Sequence, residues 1–440
     1  MTLPPLSRRK FLTTTALAFP YVAMRSWAES PNSTVRHVSF GANGMAFADL
    51  SSISGVSNVD MVAAAEIDTT RAGRFRKKFP KAKVYADWRE LLDKESKNFD
   101  TANVSTPDHM HAPIAMSAMQ LGKHVYVQKP LTHDVFESRK LREYAATNKI
   151  VTQMGIQVHS SQVYQEAVAL VHQGAIGKIT EVHTWSSKKW GDMNPRPNRK
   201  DPLPKNFNWD HWCGVAAKHD YLGKGYYHPG NWRKRLDYGT GTFGDMGCHI
   251  YDPMYGAVGL TSPISLTSEG PTPNDHSWAI NAKIHYVFPG TKYTAGKTID
   301  VTWYDGDQRP SADVRNRIGN RKLPSQGSLL FGTKGNMIIP HVGKAILLPE
   351  DQYADFQRPA IEGKNHWASF VESVRGNDET SANFNYSGPL TESILLGGIA
   401  TRFPKKTLKW DADSLNFTNS KDATGYVSKE YRKGWNVKGL

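Results

Sequence analysis

Residues 35–46 read VRHVSFGANGMA, and they indicate the fold class of the first part of the chain. The apolar run from Val35 to Phe40 is followed by a turn of small residues, and a second apolar run extends from Val59 to Ala65. The alternation continues to Gly155, with predicted helices at 87–96, 109–121 and 134–147 and predicted strands at 100–105, 124–127 and 150–154. Strands that alternate with helices of this length predict a parallel sheet covered on both faces.

The pattern changes after Gly155. A helix near 161–173 is followed by loops rich in Trp, Tyr, Pro and Lys, and strand-like runs recur at 179–187, 279–288, 297–304, 328–332 and 344–348. We therefore predict an α/β domain at 35–155 and a mostly antiparallel α+β domain at 156–412. Residues 413–440 are polar and aromatic without a clear period, and we expect them to pack as an extended C-terminal arm.

The composition is that of a globular protein, since 39% of the 440 residues are hydrophobic and 22% are charged. Cys213 and Cys248 allow one bridge at most, which excludes a disulfide scaffold. No compact spacing of metal ligands occurs, so we expect no metal site. The net charge of +14 is spread along the chain without a nucleic-acid-binding motif, which argues against DNA or RNA as a partner. A solvated basic surface and attraction for acidic saccharides both remain open.

The N-terminus has the pattern of an export signal. Residues 7–12 read SRRKFL, an apolar stretch covers 13–24, and the small-residue site SWA ends at Ala28. This predicts a twin-arginine signal peptide at 1–28, recognised by the Tat export machinery. About 12 apolar residues are too few to cross a bilayer core that needs roughly 20, so we expect no stable membrane anchor. Because this route carries folded proteins, we expect a cofactor loaded in the cytoplasm and a periplasmic or otherwise exported location.

The turn after the first strand resembles a dinucleotide-binding loop, whose pattern is G-x-G-x-x-G/A. Gly41 and Ala46 occupy the first and third positions, and Asn43 replaces the second glycine. Asn tolerates left-handed backbone better than most residues, and the neighbouring Gly44 can supply room. We assign Gly41, Asn43, Gly44 and Met45 to cofactor binding at the N-terminus of the following helix.

Glu66 strengthens this interpretation. It ends the second strand 20 residues after Ala46, where a carboxylate accepts hydrogen bonds from the adenosine ribose hydroxyls. A carboxylate there favours NAD over NADP because it repels a 2′-phosphate. Arg71 is close enough in sequence to leave NADP open.

Two further motifs follow the next strands. Residues 105–111 read STPDHMH and residues 128–131 read QKPL, so Thr106, Pro107, His111 and Lys129 fall at the carboxyl edge of the predicted sheet. Open α/β sheets bind ligands at this edge. A lysine directly after a buried strand is not an ordinary solvated position, although a simple loop charge is the alternative.

With these motifs in view, the chain resembles the Gfo/Idh/MocA oxidoreductases, close to their twin-arginine-exported branch. The resemblance covers roughly residues 34–437 and also rests on GIQVH at 155–159, WDHWCG at 209–214, HPGNWR at 228–233 and GDMGCH at 244–249. Two positions depart from the family pattern. Asn43 replaces the second glycine, and Gln128 stands where the family has Glu in its Glu-Lys-Pro motif.

The resemblance implies a Rossmann domain, an open antiparallel sheet whose face forms a sugar pocket, and assembly into homo-oligomers. It implies His249 as general base, Asp245 as substrate ligand or partner of His249, and Lys129 as the group that orients the hydroxyl and stabilises negative charge. Asp245 and His249 are four residues apart and so share a helix face, where the carboxylate is expected to raise the basicity of the imidazole. The further residues implied are Trp232 and Arg233 at the nicotinamide, and Gln157, His159, Tyr227 and His228 in the substrate pocket.

These features predict an exported NAD-dependent oxidoreductase that oxidises a ring hydroxyl of a sugar or glycoside by hydride transfer to a tightly bound cofactor. One alternative is an NAD-dependent glycoside hydrolase or lyase, which uses transient oxidation and elimination at the same site. A third is a sugar-binding protein without catalysis.

Overall fold

A computed structural model describes residues 33–440, so the predicted signal peptide lies outside the described residues. The first domain is a six-stranded parallel sheet in the order β3-β2-β1-β4-β5-β6, which confirms the expected Rossmann arrangement. Its strands are β1 (Val35–Phe40), β2 (Val59–Ala65), β3 (Lys83–Tyr85), β4 (Thr101–Val104), β5 (His124–Val127) and β6 (Thr152–Met154). The three-residue strand β3 was missed by the sequence analysis because it is too short to show a hydrophobic period.

Five α-helices cover this sheet: α1 (Met45–Ile53), α2 (Gly73–Lys78), α3 (Trp88–Glu95), α4 (His111–Gln120) and α5 (Val135–Thr147). Local sequence explains where several of them begin. Asp87 caps α3 by accepting from the backbone of Arg89, and Asp134 and Glu137 form a capping box at the start of α5. The predicted helix at 109–121 begins as a 3-10 turn, Asp108–Met110, and becomes α-helical at His111.

The second domain is built on a nine-stranded sheet in the order β13-β12-β11-β7-β10-β9-β8-β14-β15. Its strands are β7 (Ile179–Trp185), β8 (Ser265–Ser268), β9 (Lys283–Pro289), β10 (Thr298–Tyr304), β11 (Gly327–Gly332), β12 (Asn336–Pro340), β13 (Ile346–Leu348), β14 (Leu408–Asp411) and β15 (Asn416–Phe417). Among the described strands of this sheet only β7 and β10 pair in parallel, so the mostly antiparallel sheet is confirmed.

The helices of this part are α6 (Gln162–His172), α7 (Trp209–Cys213), α8 (Gly241–Val258), α9 (Ala312–Asn316), α10 (His366–Val374), α11 (Phe384–Ala400) and α12 (Lys421–Thr424). The long helix α8 is almost wholly buried between the sheet, α6 and α11. Helix α10 returns to the first domain, where Phe370 and Val371 pack with Val35, Ile53 and Tyr126. The C-terminal residues 413–440 carry only β15 and the short helix α12.

The membrane-spanning character, metal-binding groups and cysteines of residues 33–440 are as follows. Within that range, no helix combines the length and apolar character needed to cross a membrane. The same range holds no group of three or more His, Cys, Asp or Glu side chains placed to bind a metal ion. Cys213 and Cys248 are both buried and unbridged.

Several buried histidines make the fold sensitive to acid. Burial lowers the pKa of His37, His124 and His366 to about 4. The His37 ring is fully buried. Its Nδ1 lies 2.8 Å from Thr101 Oγ1, and its Nε2 lies 2.9 Å from Asn103 Oδ1. Since an unfolded imidazole titrates near 6.5, folding stability is intact above that pH and falls as the pH drops toward 4.

We expect each of these imidazoles to lower the free energy of unfolding by about 1.4 kcal/mol for each pH unit below 6.5. In His37→Gln the difference in unfolding free energy between pH 7.5 and pH 5 should therefore shrink by about 2 kcal/mol. Urea denaturation followed by tryptophan fluorescence measures it. The control is His172→Gln, which changes an exposed imidazole. Equal pH dependence in His37→Gln and the unsubstituted protein would contradict this account.

Candidate active site

A cleft with a volume of about 280 Å³ opens at the carboxyl edge of the parallel sheet, between the two domains. The first domain contributes its glycine loop and the ends of β2, β4 and β5, and the second contributes the segment 228–233 and Trp212. Ten of the eleven predicted cofactor residues line this cleft: Gly41, Asn43, Gly44, Met45, Glu66, Thr106, Pro107, Lys129, Trp232 and Arg233.

The glycine loop leaves the start of helix α1 free to bind an anion. Gly41 has φ +103°, and a Cβ there would meet Ala46 Cβ at 2.7 Å and the Ser105 carbonyl oxygen at 2.9 Å. Gly44 has φ +56° and opens α1, which carries no side-chain cap and no acidic residue in its first turn. Uncapped backbone N–H groups at a helix N-terminus suit a pyrophosphate.

Asn43 occupies the place of the second glycine of the motif, but its backbone does not take the left-handed conformation and its side chain makes two hydrogen bonds within the region. Its side-chain amide donates to the Arg71 carbonyl at 2.8 Å, and its Oδ1 accepts from the Gly44 N–H at 2.7 Å. The left-handed conformation falls on Gly44 and not on Asn43. The substitution at the second glycine is therefore compatible with the loop geometry.

Glu66 lies at the end of β2, inside the cleft. Its carboxylate accepts from the backbone N–H groups of Ala42 at 3.0 Å and Asp68 at 3.1 Å. Burial raises the pKa of Glu66, and these two hydrogen bonds oppose the rise. Arg71 also lines the cleft, so both signs of charge are present at this end.

His111 does not line the cleft. Its ring lies between the carbonyl oxygens of Pro130, 2.8 Å from Nδ1, and Thr106, 2.9 Å from Nε2. It is fully buried at the start of α4. The structure thus places His111 as a bridge between the loops that carry Thr106 and Lys129.

Lys129 and Asp245 form an ion pair between the two domains. Lys129 Nζ lies 2.6 Å from Asp245 Oδ1 and donates to the Asp245 carbonyl oxygen at 3.1 Å, and each side chain is 10% exposed. Arg233 Nε lies 2.9 Å from the same Oδ1. Burial opposes ionisation of Asp245, but the charges of Lys129 and Arg233 outweigh it and hold its pKa well below the usual range.

His249 lies one helical turn beyond Asp245 on α8. Its Nδ1 is buried and has no hydrogen-bond partner among residues 33–440. Burial lowers the pKa of His249 well below its ordinary value, and the charge of Lys129 adds to this effect. Asp245 raises the pKa of His249, as expected from the sequence, but burial and the charge of Lys129 outweigh it. His249 is neutral at neutral pH and able to accept a proton.

Trp232 and Arg233 form one side of the cleft. The Arg233 guanidinium carbon lies 4.4 Å from the centre of the Trp232 ring, and Trp232 Nε1 donates to the Pro229 carbonyl at 3.1 Å. His228 also lines the cleft, where its Nε2 lies 3.2 Å from Asp68 Oδ2 near the Glu66 end. The structure therefore brings His228 to the predicted cofactor side.

Of the six predicted substrate residues only His228 lines this cleft. Asp245 and His249 lie behind Lys129, and the other three lie elsewhere. Tyr227 is 2% exposed in an aromatic cluster with Trp209 and Tyr238. Gln157 lies beside the buried Asp49. His159 Nδ1 is 2.9 Å from Asp252 Oδ1 on α8, a carboxylate that raises the pKa of His159 against the opposing effect of burial.

The structure also brings residues to the site that the sequence analysis did not assign. Asp108 is buried and lines the cleft; its Oδ2 accepts from Thr240, and its Oδ1 has no partner within the described part of the chain. His341 follows β12, with its ring centre 5.7 Å from that of His249 and its Nδ1 2.9 Å from the Tyr164 hydroxyl. Asp108 belonged to the quoted STPDHMH motif, whereas no local pattern marks His341.

Comparison with known proteins agrees with this architecture. Residues 35–156 match the Gfo/Idh/MocA model described as "Oxidoreductase family, NAD-binding Rossmann fold". Residues 166–311 match the model for "Oxidoreductase family, C-terminal alpha/beta domain", so the two models of one family together span more than half of the chain. The chain belongs to the Gfo/Idh/MocA oxidoreductase family. This family includes dehydrogenases of sugars and polyols among its matched members.

Individual relatives are distant. A levoglucosan dehydrogenase of Pseudarthrobacter phenanthrenivorans is 24% identical over 201 residues, which span 46% of this chain and 43% of that protein. The scyllo-inositol 2-dehydrogenase (NADP(+)) of Bacillus subtilis is 21% identical, over 77% of this chain and 81% of that protein. The WlbA dehydrogenase of Bordetella pertussis, solved in complex with NADH and UDP-GlcNAcA, shares the fold at 13% identity. Its TM-score is 0.61, with 88% of this chain and 100% of that chain covered.

In this Gfo/Idh/MocA protein Gln128, which replaces the glutamate of the family motif, binds a buried carboxylate. Gln128 Nε2 donates at 2.9 Å to Asp49 Oδ2, and both residues are buried. Asp49 also accepts from Ser105 Oγ at 2.8 Å and Trp367 Nε1 at 3.0 Å. Burial raises the pKa of Asp49, and these donors oppose the rise. An amide at position 128 thus avoids a second carboxylate against Asp49.

We expect Gln128→Glu to lose about 3 kcal/mol of unfolding free energy near neutral pH, because it places two carboxylates together in a buried site. The loss should shrink at acidic pH, where one carboxyl is protonated. The uncharged Gln128→Met is the control and should lose less. Adding Asp49→Asn to Gln128→Glu should restore most of the stability in urea denaturation. Undiminished stability of Gln128→Glu would show that Asp49 does not constrain position 128.

Proposed function

We propose that this protein is an NAD-dependent oxidoreductase that oxidises a ring hydroxyl of a sugar, polyol or glycoside. The observation that carries the proposal is the position of Lys129, Asp245 and His249 beside the cofactor cleft. When bound, the nicotinamide supplies the acceptor for a hydride from the carbinol carbon. Dehydrogenation also releases the hydroxyl proton, which must be accepted within the site.

The chain's own residues can manage that proton and the charge it leaves. Neutral His249, which is partly exposed as a residue, is the group proposed to accept the hydroxyl proton. The Lys129 ammonium, held by Asp245, is positioned to stabilise negative charge that develops on the substrate oxygen. Arg233 adds a second positive charge to the same carboxylate.

NAD is favoured over NADP by Glu66, whose partly buried carboxylate lines the cleft where a 2′-phosphate would be repelled. Relatives of both kinds occur: the Bordetella pertussis protein was solved with NADH, and the Bacillus subtilis relative is an NADP(+) enzyme. We propose that the cofactor stays bound between turnovers. Assembly into homo-oligomers also belongs to this proposal and can be measured by light scattering.

The decisive experiment is to purify the protein without added nucleotide, denature it and identify what is released. We expect about one NAD(H) per chain and little NADP(H). Release of no nucleotide, together with no NADH binding on titration, would overturn the proposal. Predominant NADP(H) would overturn only the choice of cofactor.

The proposed function requires the side chains of Lys129 and His249 for turnover. We expect both Lys129→Ala and His249→Ala to lose turnover by at least about 100-fold, and His249→Ala to do so with its nucleotide still bound. His172→Gln is the control for loss of a histidine. Levoglucosan, inositols and aryl glycosides form the substrate panel, with keto product and free aglycone measured together. Aglycone release without net redox change would identify the glycoside-cleaving alternative, and unchanged turnover in both variants would refute the assigned roles.

We also propose export through the twin-arginine route, on the pattern of residues 7–28. Replacing Arg8 and Arg9 together by lysine should leave the protein in the cytoplasm of a bacterium that has this pathway. Cell fractionation measures it, and Lys10→Arg is the control because it leaves the arginine pair intact. Equal export of the double variant would contradict the proposal.

A further inference from the structure

Residues 427–440, here called the C-terminal strap, return from the second domain to the first. The Phe136 N–H at the start of α5 donates to the Val427 carbonyl at 3.1 Å. Gln120 Nε2 at the end of α4 donates to the Lys438 carbonyl at 2.6 Å. The strap therefore contacts two Rossmann helices at separate points.

Arg432 of the strap binds helix α7. Its Nη1 lies 2.6 Å from Asp210 Oδ1, its Nη2 donates to the Asp210 carbonyl at 2.8 Å, and its Nε donates to the Gly214 carbonyl at 3.0 Å. The guanidinium thus binds α7 at both ends, at Asp210 in its first turn and at the carbonyl of its C-cap residue, Gly214. Helix α7 carries Trp212, which is 4% exposed and lines the cofactor cleft.

Trp435 of the strap contacts a second wall of the cleft. The Arg89 guanidinium carbon lies 4.2 Å from the centre of the Trp435 ring, which is 7% exposed. Arg89 also pairs with Asp87 at 2.8 Å. Its sequence neighbour Trp88, at the start of α3, lines the cleft with 8% exposure.

Helix α7 depends on such outside contacts. It has only five residues and lies between irregular segments at 186–208 and 214–230 that contain no strand and no α-helix. A helix this short is not stable on its own and takes its position from tertiary packing. Gly214 packs closely on Met110, another cleft residue, so movement of α7 would shift more than one part of the wall.

We propose that the C-terminal strap is a positioning element for the cofactor cleft, in which Arg432 and Trp435 hold the walls that carry Trp212 and Trp88 and so slow release of the bound dinucleotide. This inference rests on the proposed function, because it concerns retention of that cofactor. Arg432 and Trp435 act through other residues and do not line the cleft themselves. An exported enzyme has reason to need slow release, since free NAD is scarce outside the cytoplasm.

The test is the dissociation rate of NADH. Full-length protein loaded with NADH is mixed with excess NAD, and the loss of energy transfer from tryptophan to NADH is followed at a temperature where every variant is folded. We expect Arg432→Ala and Trp435→Ala to release NADH at least tenfold faster than the unsubstituted protein. The release rate of Arg432→Lys should fall between those of Arg432→Ala and the unsubstituted protein, because lysine keeps the charge but not the three-point contact.

Arg139→Ala is the matched control. Arg139 also binds a carboxylate through two nitrogens, Glu392 at 2.9 and 3.0 Å, and donates to a carbonyl, Ala412 at 2.9 Å, but it lies away from the cleft. We expect Arg139→Ala to lower the melting temperature without changing the NADH release rate. Asp210→Asn provides a milder second variant, expected to accelerate release, should Arg432→Ala fail to fold.

Two outcomes would overturn the inference in distinguishable ways. Release rates within twofold of the unsubstituted protein in the strap variants, with a fall in melting temperature like that of Arg139→Ala, would give the strap a merely structural role. Failure of the unsubstituted protein to bind NADH would overturn the proposed function and the role of the strap together.

Discussion

The ion pair between Lys129 and Asp245 is the interaction on which the site depends. It joins the loop after β5 in the first domain to helix α8 in the second, with both side chains 10% exposed. Burying two charges costs several kcal/mol each, and this cost is offset only by close geometry and further hydrogen bonds. Lys129 makes a further hydrogen bond to the Asp245 carbonyl, and Arg233 places a second positive charge 2.9 Å from the same carboxylate. Separating the domains would break this pair, so it helps to hold the two domains together at the cleft.

Burial and the charges around this pair together set the protonation state of His249. Lys129 and Arg233 share a single carboxylate, which leaves an excess positive charge next to the imidazole. Burial keeps His249 neutral, and the charge of Lys129 adds to this effect. A neutral imidazole is the form that can accept a proton. The two positive charges favour negative charge on a nearby substrate oxygen, but they also weaken His249 as a base, so the site balances these two effects.

The sequence was sufficient for the parallel sheet, the second antiparallel sheet and most of the cofactor cleft, because these depend on local periods and short motifs. It could not place Tyr227 or His159, since a motif does not state which way a loop side chain turns. Tyr227 packs into an aromatic cluster, and His159 pairs with Asp252. His341 lies beside His249, and Trp367 donates to Asp49, although both come from distant segments of the chain. Such long-range contacts leave no local pattern in the sequence.

The two departures from the family pattern show how neighbours decide what a motif position requires. At the glycine loop the left-handed conformation falls on Gly44, so Asn43 needs no unusual backbone and its side chain is free to bind the Arg71 carbonyl. At position 128 the buried Asp49 needs a donor, which Gln supplies and Glu at neutral pH cannot. In both places the substituted residue satisfies a polar group that a local comparison of motifs does not include. The departures are therefore compatible with a working cofactor cleft.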